Sequence, residues 1–400
     1  MRFVSTRGEC GAADLRTAVL RGLAPDGGLY VPERVPRLDR RAFDRLRGAS
    51  PAEAAVAVLG PFVEDAVAPA DLERIVGDAL DFPLPLVELE PETRVLELFH
   101  GPTGAFKDVG ARFLARLLPA LRRSPDERIV VLVATSGDTG GAVAHALHGV
   151  EGVETVVLYP DGRISPVQLG QIAGLGGNVR PLAVRGSFDD CQRLVKAALA
   201  DPVLRDEMTL STGNSINLAR FLPQAVYYVH GWGRLDPPPE RLLVSVPCGN
   251  LGNLAARLLA KRMGLPVHRF VGATNANDVF VRFLETRRVE PEPSRPTLSS
   301  AMDVTRPSNL ERLLHLCGGD LERLRREVTG SAHDDAETLD AMRVLYRRFG
   351  YLADPHTAVS WRGLEAVREG HRGAPGLVLS TADPAKFPDA VQQATGARPP

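Results

Sequence analysis

Twice along this 400-residue chain, a run of apolar residues passes through a glycine-rich turn directly into a helix. The first copy is Ile129-Val130-Val131-Leu132-Val133-Ala134, then Thr135-Ser136-Gly137-Asp138-Thr139-Gly140-Gly141, then Ala142 to His148. The second is Leu242-Leu243-Val244-Ser245-Val246, then Pro247-Cys248-Gly249-Asn250-Leu251-Gly252-Asn253, then Leu254 to Met263. Strands that are apolar at nearly every position need cover on both faces, so the pattern predicts an α/β fold with mostly parallel sheet. A turn at the carboxyl end of such a strand, opening a helix, exposes free backbone N–H groups and the positive end of the helix dipole. It therefore suits an anion. Glycine lets the backbone come close to a ligand. Neither turn reads Gly-x-Gly-x-x-Gly, and no Gly-Lys-Ser/Thr ends the stretch Gly101 to Lys107, so neither a dinucleotide nor a nucleoside triphosphate site is indicated.

Around these units the chain divides near Phe82-Pro83-Leu84-Pro85. Residues 1–85 read as a small, mainly helical opening domain, with helices over 51–59 and 71–80; residues 86–400 read as the main domain. Within the latter, helices are expected at 110–122, kinked by Pro119, at 187–199 with a Ser187/Asp190 capping pair, at 218–230 and at 335–349. Further strands are expected at 156–160 and 377–381, and the stretch 291–310 is loop-rich. Ser211-Thr212-Gly213-Asn214-Ser215-Ile216-Asn217 reads as a polar loop that opens a helix.

Lysine occurs only at 107, 196, 261 and 386, so amines able to form a Schiff base can be weighed one by one. Lys196 lies on a helical pattern and Lys261 near a helix end, where a cation complements the dipole. Lys386 sits in a polar loop. Lys107 alone follows a Gly/Pro/Thr-rich turn after a short apolar strand, flanked by Phe106 and Asp108. Burial beside an aromatic ring lowers an amine's pKa, which a nucleophilic lysine needs. One such lysine, one phosphate-sized turn and one hydroxyl-rich turn are what pyridoxal phosphate and an amino-acid substrate require. On this reading Gly249 to Asn253 hold the cofactor phosphate. Thr135, Ser136 and Thr139 face the substrate carboxylate, and Asn214, Ser215, Asn217 and Arg220 take a further anionic group. A net charge of -1 gives no electrostatic grip on nucleic acid or an anionic membrane. No apolar run nears the roughly 18 residues of a membrane helix. The four cysteines are scattered with no Cys-x-x-Cys pair, so neither a zinc site nor a disulfide framework is expected. With no apolar leader after Met1, the expected location is the cytoplasm.

The chain resembles the threonine synthases, pyridoxal-phosphate enzymes of fold type II (tryptophan synthase β-like), in their longer branch with a separate N-terminal domain. The resemblance rests on Glu97-Leu98-Phe99-His100-Gly101-Pro102-Thr103 with Ala105-Phe106-Lys107-Asp108, on Ala134 to Gly140, and on Asn214-Ser215-Ile216-Asn217. It continues through Ser245-Val246-Pro247 with Gly249-Asn250 and Gly252, Ala273-Thr274-Asn275, Ala301-Met302-Asp303-Val304 and Pro384-Ala385-Lys386-Phe387. It implies two lobes of mostly parallel sheet flanked by helices; the stretch 128–225 is expected to move because it carries the carboxylate and substrate-phosphate groups facing a fixed cofactor cup, and a monomer or homodimer without a metal ion is expected. It implies that Lys107 carries the cofactor and moves protons, and that Gly249, Asn250, Leu251, Gly252 and Asn253 cup its phosphate. It also implies that Asp138 lies by the cofactor's 3'-oxygen, that Gly137 belongs to the carboxylate loop, and that Thr381 sits by the ring nitrogen. The implied reaction turns O-phospho-L-homoserine and water into L-threonine and phosphate. The chain departs from the family pattern at Asp383, Asp354, Gly104 and Cys248, which keeps open a related lyase or dehydratase acting on another β- or γ-substituted amino acid. A phosphometabolite-binding protein without pyridoxal phosphate is the reading from another class.

Overall fold

The computed structural model describes every residue except Ser165, Glu240, Pro291 and Pro400, and every side chain but those four and Pro166 and Val167. Ser165 of the expected mobile stretch, Pro291 of the loop-rich stretch and the last residue thus lie outside the described residues. Two compact units emerge, each assembled from separate segments. One comprises Met1–Arg37, Ser50–Phe82 and Gly101–Val226; the other comprises Leu38–Ala49, Pro83–His100 and Tyr227–Pro400.

The first unit is built on four parallel strands in the order Val179–Val184, Val153–Pro160, Ile129–Ala134 and Thr209–Thr212. A short antiparallel pair, Phe3–Ser5 with Tyr30–Pro32, belongs to the same unit. The strand at 209–212 corrects the sequence reading, in which Ser211 and Thr212 head a polar loop. Both are fully buried, and Ser211 Oγ donates to Val19 O at 2.8 Å. Hydroxyls with partners inside the protein let a polar segment serve as a strand. The opening residues are tied in again by Asn217, whose Nδ2 donates to the same Val19 O at 2.9 Å.

Helices begin earlier than periodicity predicts. Asp138–Leu147 starts inside the glycine-rich turn and Lys107–Ala120 starts at the lysine itself. Gly140 is a packing residue rather than a breaker, since a Cβ there would lie 2.5 Å from Thr135 Cγ2. The helix expected over 218–230 is broken into Leu218–Phe221, a 3-10 turn Leu222–Ala225 and Val226–Gly233. Pro223, which lacks an N–H and crowds the preceding turn, accounts for the break. The Ser187/Asp190 capping box is present, and a second, Ser50 with Glu53, opens the helix Pro51–Val63.

The second unit carries six strands in the order Val328–Ala332, Arg269–Thr274, Leu243–Pro247, Gly376–Ser380, Thr93–Glu97 and Leu86–Glu90. All neighbours are parallel except the terminal hairpin of Leu86–Glu90 with Thr93–Glu97. Its core joins Val95, Leu243 and Val378 of the sheet to Met342, Leu345, Trp361 and Leu364 of the helices Asp335–Phe349 and Pro355–Arg368. After Leu243–Pro247 the chain adds strands outward on one side. It then returns to place Gly376–Ser380 on the other. This reversal is where open α/β sheets bind ligands, beyond the carboxyl ends of the strands. Pairing across it stops at Val378↔Ser245, two residues short of either strand's end, so the backbones part there.

Candidate active site

Leu243–Pro247 is buried throughout and leads into the second glycine-rich turn at that reversal. Leu251 takes a left-handed conformation, φ 58°, and the helix Gly252–Arg262 starts with no side-chain cap. The turn is held from behind. Asn250 Oδ1 accepts from Ser308 N at 2.6 Å, and Asn250 O accepts from Asn309 Nδ2 at 3.0 Å. Asn253 is 6% exposed, and its Nδ2 has no hydrogen-bond partner among the described residues. An uncapped helix start beside a buried donor lacking an acceptor fits a phosphate ester such as that of pyridoxal phosphate. A Cβ on Gly249 would lie 2.8 Å from Met302 Cα, a backbone atom that cannot step aside. Gly249→Ala is therefore expected to cost about 1–3 kcal/mol of stability and to lower cofactor retention, read by chemical denaturation and by the cofactor content of purified protein. Cys248 is a packing residue: burial pushes its thiol up to about 12, and Sγ–H donates to Val246 O at 3.2 Å.

The first glycine-rich turn, alike in sequence, behaves differently. Thr135 Oγ1 accepts from Gly137 N at 2.9 Å and Gly140 N at 2.7 Å and donates to Gly137 O at 3.0 Å. Its hydroxyl, expected at the substrate carboxylate, is thus committed within the turn and closes the helix start. Ser136, in the same turn, is exposed and Thr139 is half-buried. Gly137, at φ 140°, is free of Cβ because Gln168 lies against it, 2.3 Å from where a Cβ would be.

Lys107 opens its helix with a side chain 15% exposed. Its Nζ lies 3.6 Å from Asp138 Oδ2 and 5.0 Å from the centroid of the Phe106 ring. Asp138 is nearly buried and also accepts from Gln168 Nε2 at 3.2 Å. Next to Lys107, the buried Asp108 accepts from Thr103 N at 2.9 Å and Thr103 Oγ1 at 2.8 Å, which closes the turn between them. Its charge also favours that of Arg220, whose pKa burial nonetheless pulls down to about 10. Arg220 is 3% exposed; it donates from Nη1 to Gly213 O, while Nε has no partner among the described residues. Gly110 makes room for it, since a Cβ there would meet Arg220 O at 2.8 Å.

The polar loop is brought to the end of the central strand by Asn214, which pairs with Ala134 like a neighbouring strand: Oδ1 accepts from Ala134 N at 2.9 Å and Nδ2 donates to Ala134 O at 2.6 Å. Asn217 is fully buried and caps its helix, accepting from Ala219 N at 2.9 Å. The side-chain amides of Asn214 and Asn217 are both hydrogen-bonded within the protein. Ser215 is half-buried in the loop they hold.

Thr381, buried, follows the strand Gly376–Ser380 in the second unit. Sequence reasoning missed what holds this strand end. Asp354 caps the helix Pro355–Arg368 and accepts from His356 Nδ1 at 2.7 Å, from His356 N at 2.8 Å and from Thr357 Oγ1. Thr357 Oγ1 lies 2.8 Å from Ser380 Oγ, and Ser380 is bonded to Tyr351. Tyr351 donates to Glu97 Oε1 at 3.0 Å, and Glu97 meets His100 Nε2 at 2.7 Å. His356 Nε2 accepts from Ala301 N at 3.2 Å, so both ring nitrogens are engaged and the proton is on Nδ1. Residues 97, 351 and 380 are too far apart in sequence for any spacing rule to join them.

Asp303, in the segment beside His356, accepts from Asn275 Nδ2 at 2.8 Å, Asn277 Nδ2 at 3.0 Å and Thr297 Oγ1 at 2.7 Å. Burial nevertheless raises its carboxyl to about 6, against roughly 3.9 in an unfolded chain. Between those values the folded state binds the extra proton. This contribution to stability is therefore full below the lower value and lost as pH rises through the upper one. At most about 3 kcal/mol is involved. Asp303→Asn is expected to flatten that slope, measured as the change in urea midpoint between about pH 4.5 and about pH 7.5.

Comparison with known proteins agrees with this architecture. The family described as Pyridoxal-phosphate dependent enzyme matches residues 83–381, which defines the class. Threonine synthase N terminus matches residues 2–80. Threonine synthase of Haemophilus influenzae is 42% identical over 383 residues, covering 95% of this chain and 88% of the relative. The crystal structure of threonine synthase from Escherichia coli superposes with a TM-score of 0.94 at 40% identity, covering 100% of this chain and 92% of the other. The pyridoxal-phosphate-bound threonine synthase from Brucella melitensis gives 0.91 at 40% identity, with the same coverage. The chain belongs to the threonine synthase family of pyridoxal-phosphate-dependent lyases. Among the described residues no group of His, Cys, Asp or Glu is arranged to hold a metal, and no helix is long and apolar enough to cross a membrane.

Proposed function

We propose that this chain converts O-phospho-L-homoserine and water to L-threonine and phosphate, with Lys107 as the residue that carries the cofactor and moves protons. The observation that carries the reading is Lys107 itself, an amine 15% exposed at the head of a helix, 3.6 Å from the carboxylate of Asp138. Pyridoxal phosphate, when bound, supplies the electron sink that lets an amino acid lose protons at Cα and Cβ. Gly249, Asn250, Leu251, Gly252 and Asn253 would take its phosphate, and the neutral Thr381 hydroxyl would sit by its ring nitrogen. Lys107 Nζ serves as base and acid in turn, each positioned proton transfer contributing roughly 10²- to 10⁴-fold. Asp138, 3.6 Å away, orients that amine. Ser136 and Thr139 receive the substrate carboxylate on the loop that contains Gly137, while Thr135, bonded to the Gly137 backbone, shapes that loop. Arg220 provides the positive charge toward the substrate phosphate, with Ser215 presented by the loop that Asn214 and Asn217 hold.

Residues 1–85 form the N-terminal domain in this reading, and the enzyme works in the cytoplasm as a monomer or homodimer. Incubating the full chain with pyridoxal phosphate and O-phospho-L-homoserine is expected to release phosphate and threonine in equal amounts. Release of phosphate with a 2-oxo acid and no threonine would replace this reading with that of a related lyase.

A further inference from the structure

Asn253 is the last residue of the second turn, and its carboxamide is gripped on one side only. The phenols of Tyr227 and Tyr228, neighbours on the helix Val226–Gly233, both point at Asn253 Oδ1, Tyr227 OH from 2.5 Å; Tyr228 OH also lies 3.3 Å from Asn253 O. Both tyrosines are fully buried, with ring centroids 4.8 Å apart. Approach this close suits O–H···O rather than N–H···O geometry, which sets oxygen toward the phenols and nitrogen away from them. Burial, reinforced for Tyr227 by the neighbouring phenol, raises both hydroxyls well above the usual tyrosine range, so they stay protonated and donate. Nδ2 is left as a buried donor with no acceptor among the described residues, at the uncapped start of an 11-residue helix. A donor in that state costs free energy unless a ligand supplies the acceptor.

We propose that Tyr227 and Tyr228 are positioning residues that lock the Asn253 carboxamide with its N–H groups toward the cofactor phosphate, so that this pair sets the preference for the phosphorylated over the unphosphorylated cofactor. The inference rests on the reading of residues 249–253 as the phosphate cup. The two tyrosines are absent from every motif by which the sequence resembles its family, and they lie some 25 residues from the cup in sequence.

The test compares pyridoxal phosphate with pyridoxal as titrants of the full chain freed of cofactor, in wild type, Y227F/Y228F and N253A. Phenylalanine keeps both rings and removes only the hydroxyls. Hydrogen bonds to a charged group are worth enough that the double variant should bind pyridoxal phosphate about tenfold more weakly. Its affinity for pyridoxal should stay within about a factor of two. N253A should lose about as much, and adding the two Phe substitutions to it should lose nothing more. The phosphorus NMR shift of bound cofactor should move in both variants. Equal losses for both titrants, or a further loss in the N253A background, would overturn the positioning role while leaving the cup intact. A wild type that binds both titrants equally would overturn the cup and the inference together. If the double variant does not fold, Y228F alone carries the same comparison.

Discussion

Lys107→Ala is expected to lower turnover by at least about 10⁴-fold, the upper range for one positioned acid–base group, and to abolish fixation of the cofactor to the protein by borohydride. The other lysines offer no substitute. Lys196 is exposed on the helix Phe188–Ala200. Lys261 donates to His268 O at 3.3 Å and lies 5.3 Å from the Phe270 ring. Lys386 lies in the short 3-10 turn Pro384–Lys386. Borohydride treatment of wild type, followed by peptide mapping, should find the label on the peptide containing Lys107. A label on another lysine would remove the basis of the proposed chemistry. Small primary amines added to K107A should restore part of the activity, because what is missing is a mobile base rather than a fold.

Asp108→Ala should destabilise the first unit by about 3–5 kcal/mol, because it strips the compensating charge from a buried guanidinium. Asp108 favours the charge of Arg220 at a site that is 3% exposed. It also anchors Thr103 through two hydrogen bonds, worth roughly 1 kcal/mol each in net stability. Thr103→Val isolates the smaller part, and the double variant D108A/R220M, which removes both charges, should recover much of the loss. Urea unfolding curves separate these outcomes. A D108A loss no larger than that of T103V would show that Asp108 acts on its turn alone.

Much of this enzyme is legible along the chain because the relevant physics is local. Apolar runs of six and five residues, followed at once by glycine-rich turns and helical periodicity, specify strand, turn and helix without knowledge of anything distant. Scarcity makes Lys107 stand out, and its turn and flanking aromatic are adjacent in sequence. Capping pairs such as Ser187 and Asp190 lie within one helical turn and can be read directly. Helix starts were harder to place, since Gly140 and Gly141 look like turn residues until the side chains they pack against are known.

How two turns of similar sequence come to differ is decided by tertiary structure. Thr135 folds back on its own amides in the first. In the second, Asn253 Oδ1 is held by phenols of another helix, and its Nδ2 has no hydrogen-bond partner among the described residues. Asn214 and Asn217 carry the same side chain whether it binds a ligand or a strand edge; only the arrival of Ala134 and Val19, contributed by residues far away in sequence, commits them to the fold. Strand order, and with it the parting of Leu243–Pro247 from Gly376–Ser380, depends on pairing between segments more than a hundred residues apart. Local chemistry sets what each segment can become, whereas long-range burial and hydrogen bonding determine which polar groups are left over to act.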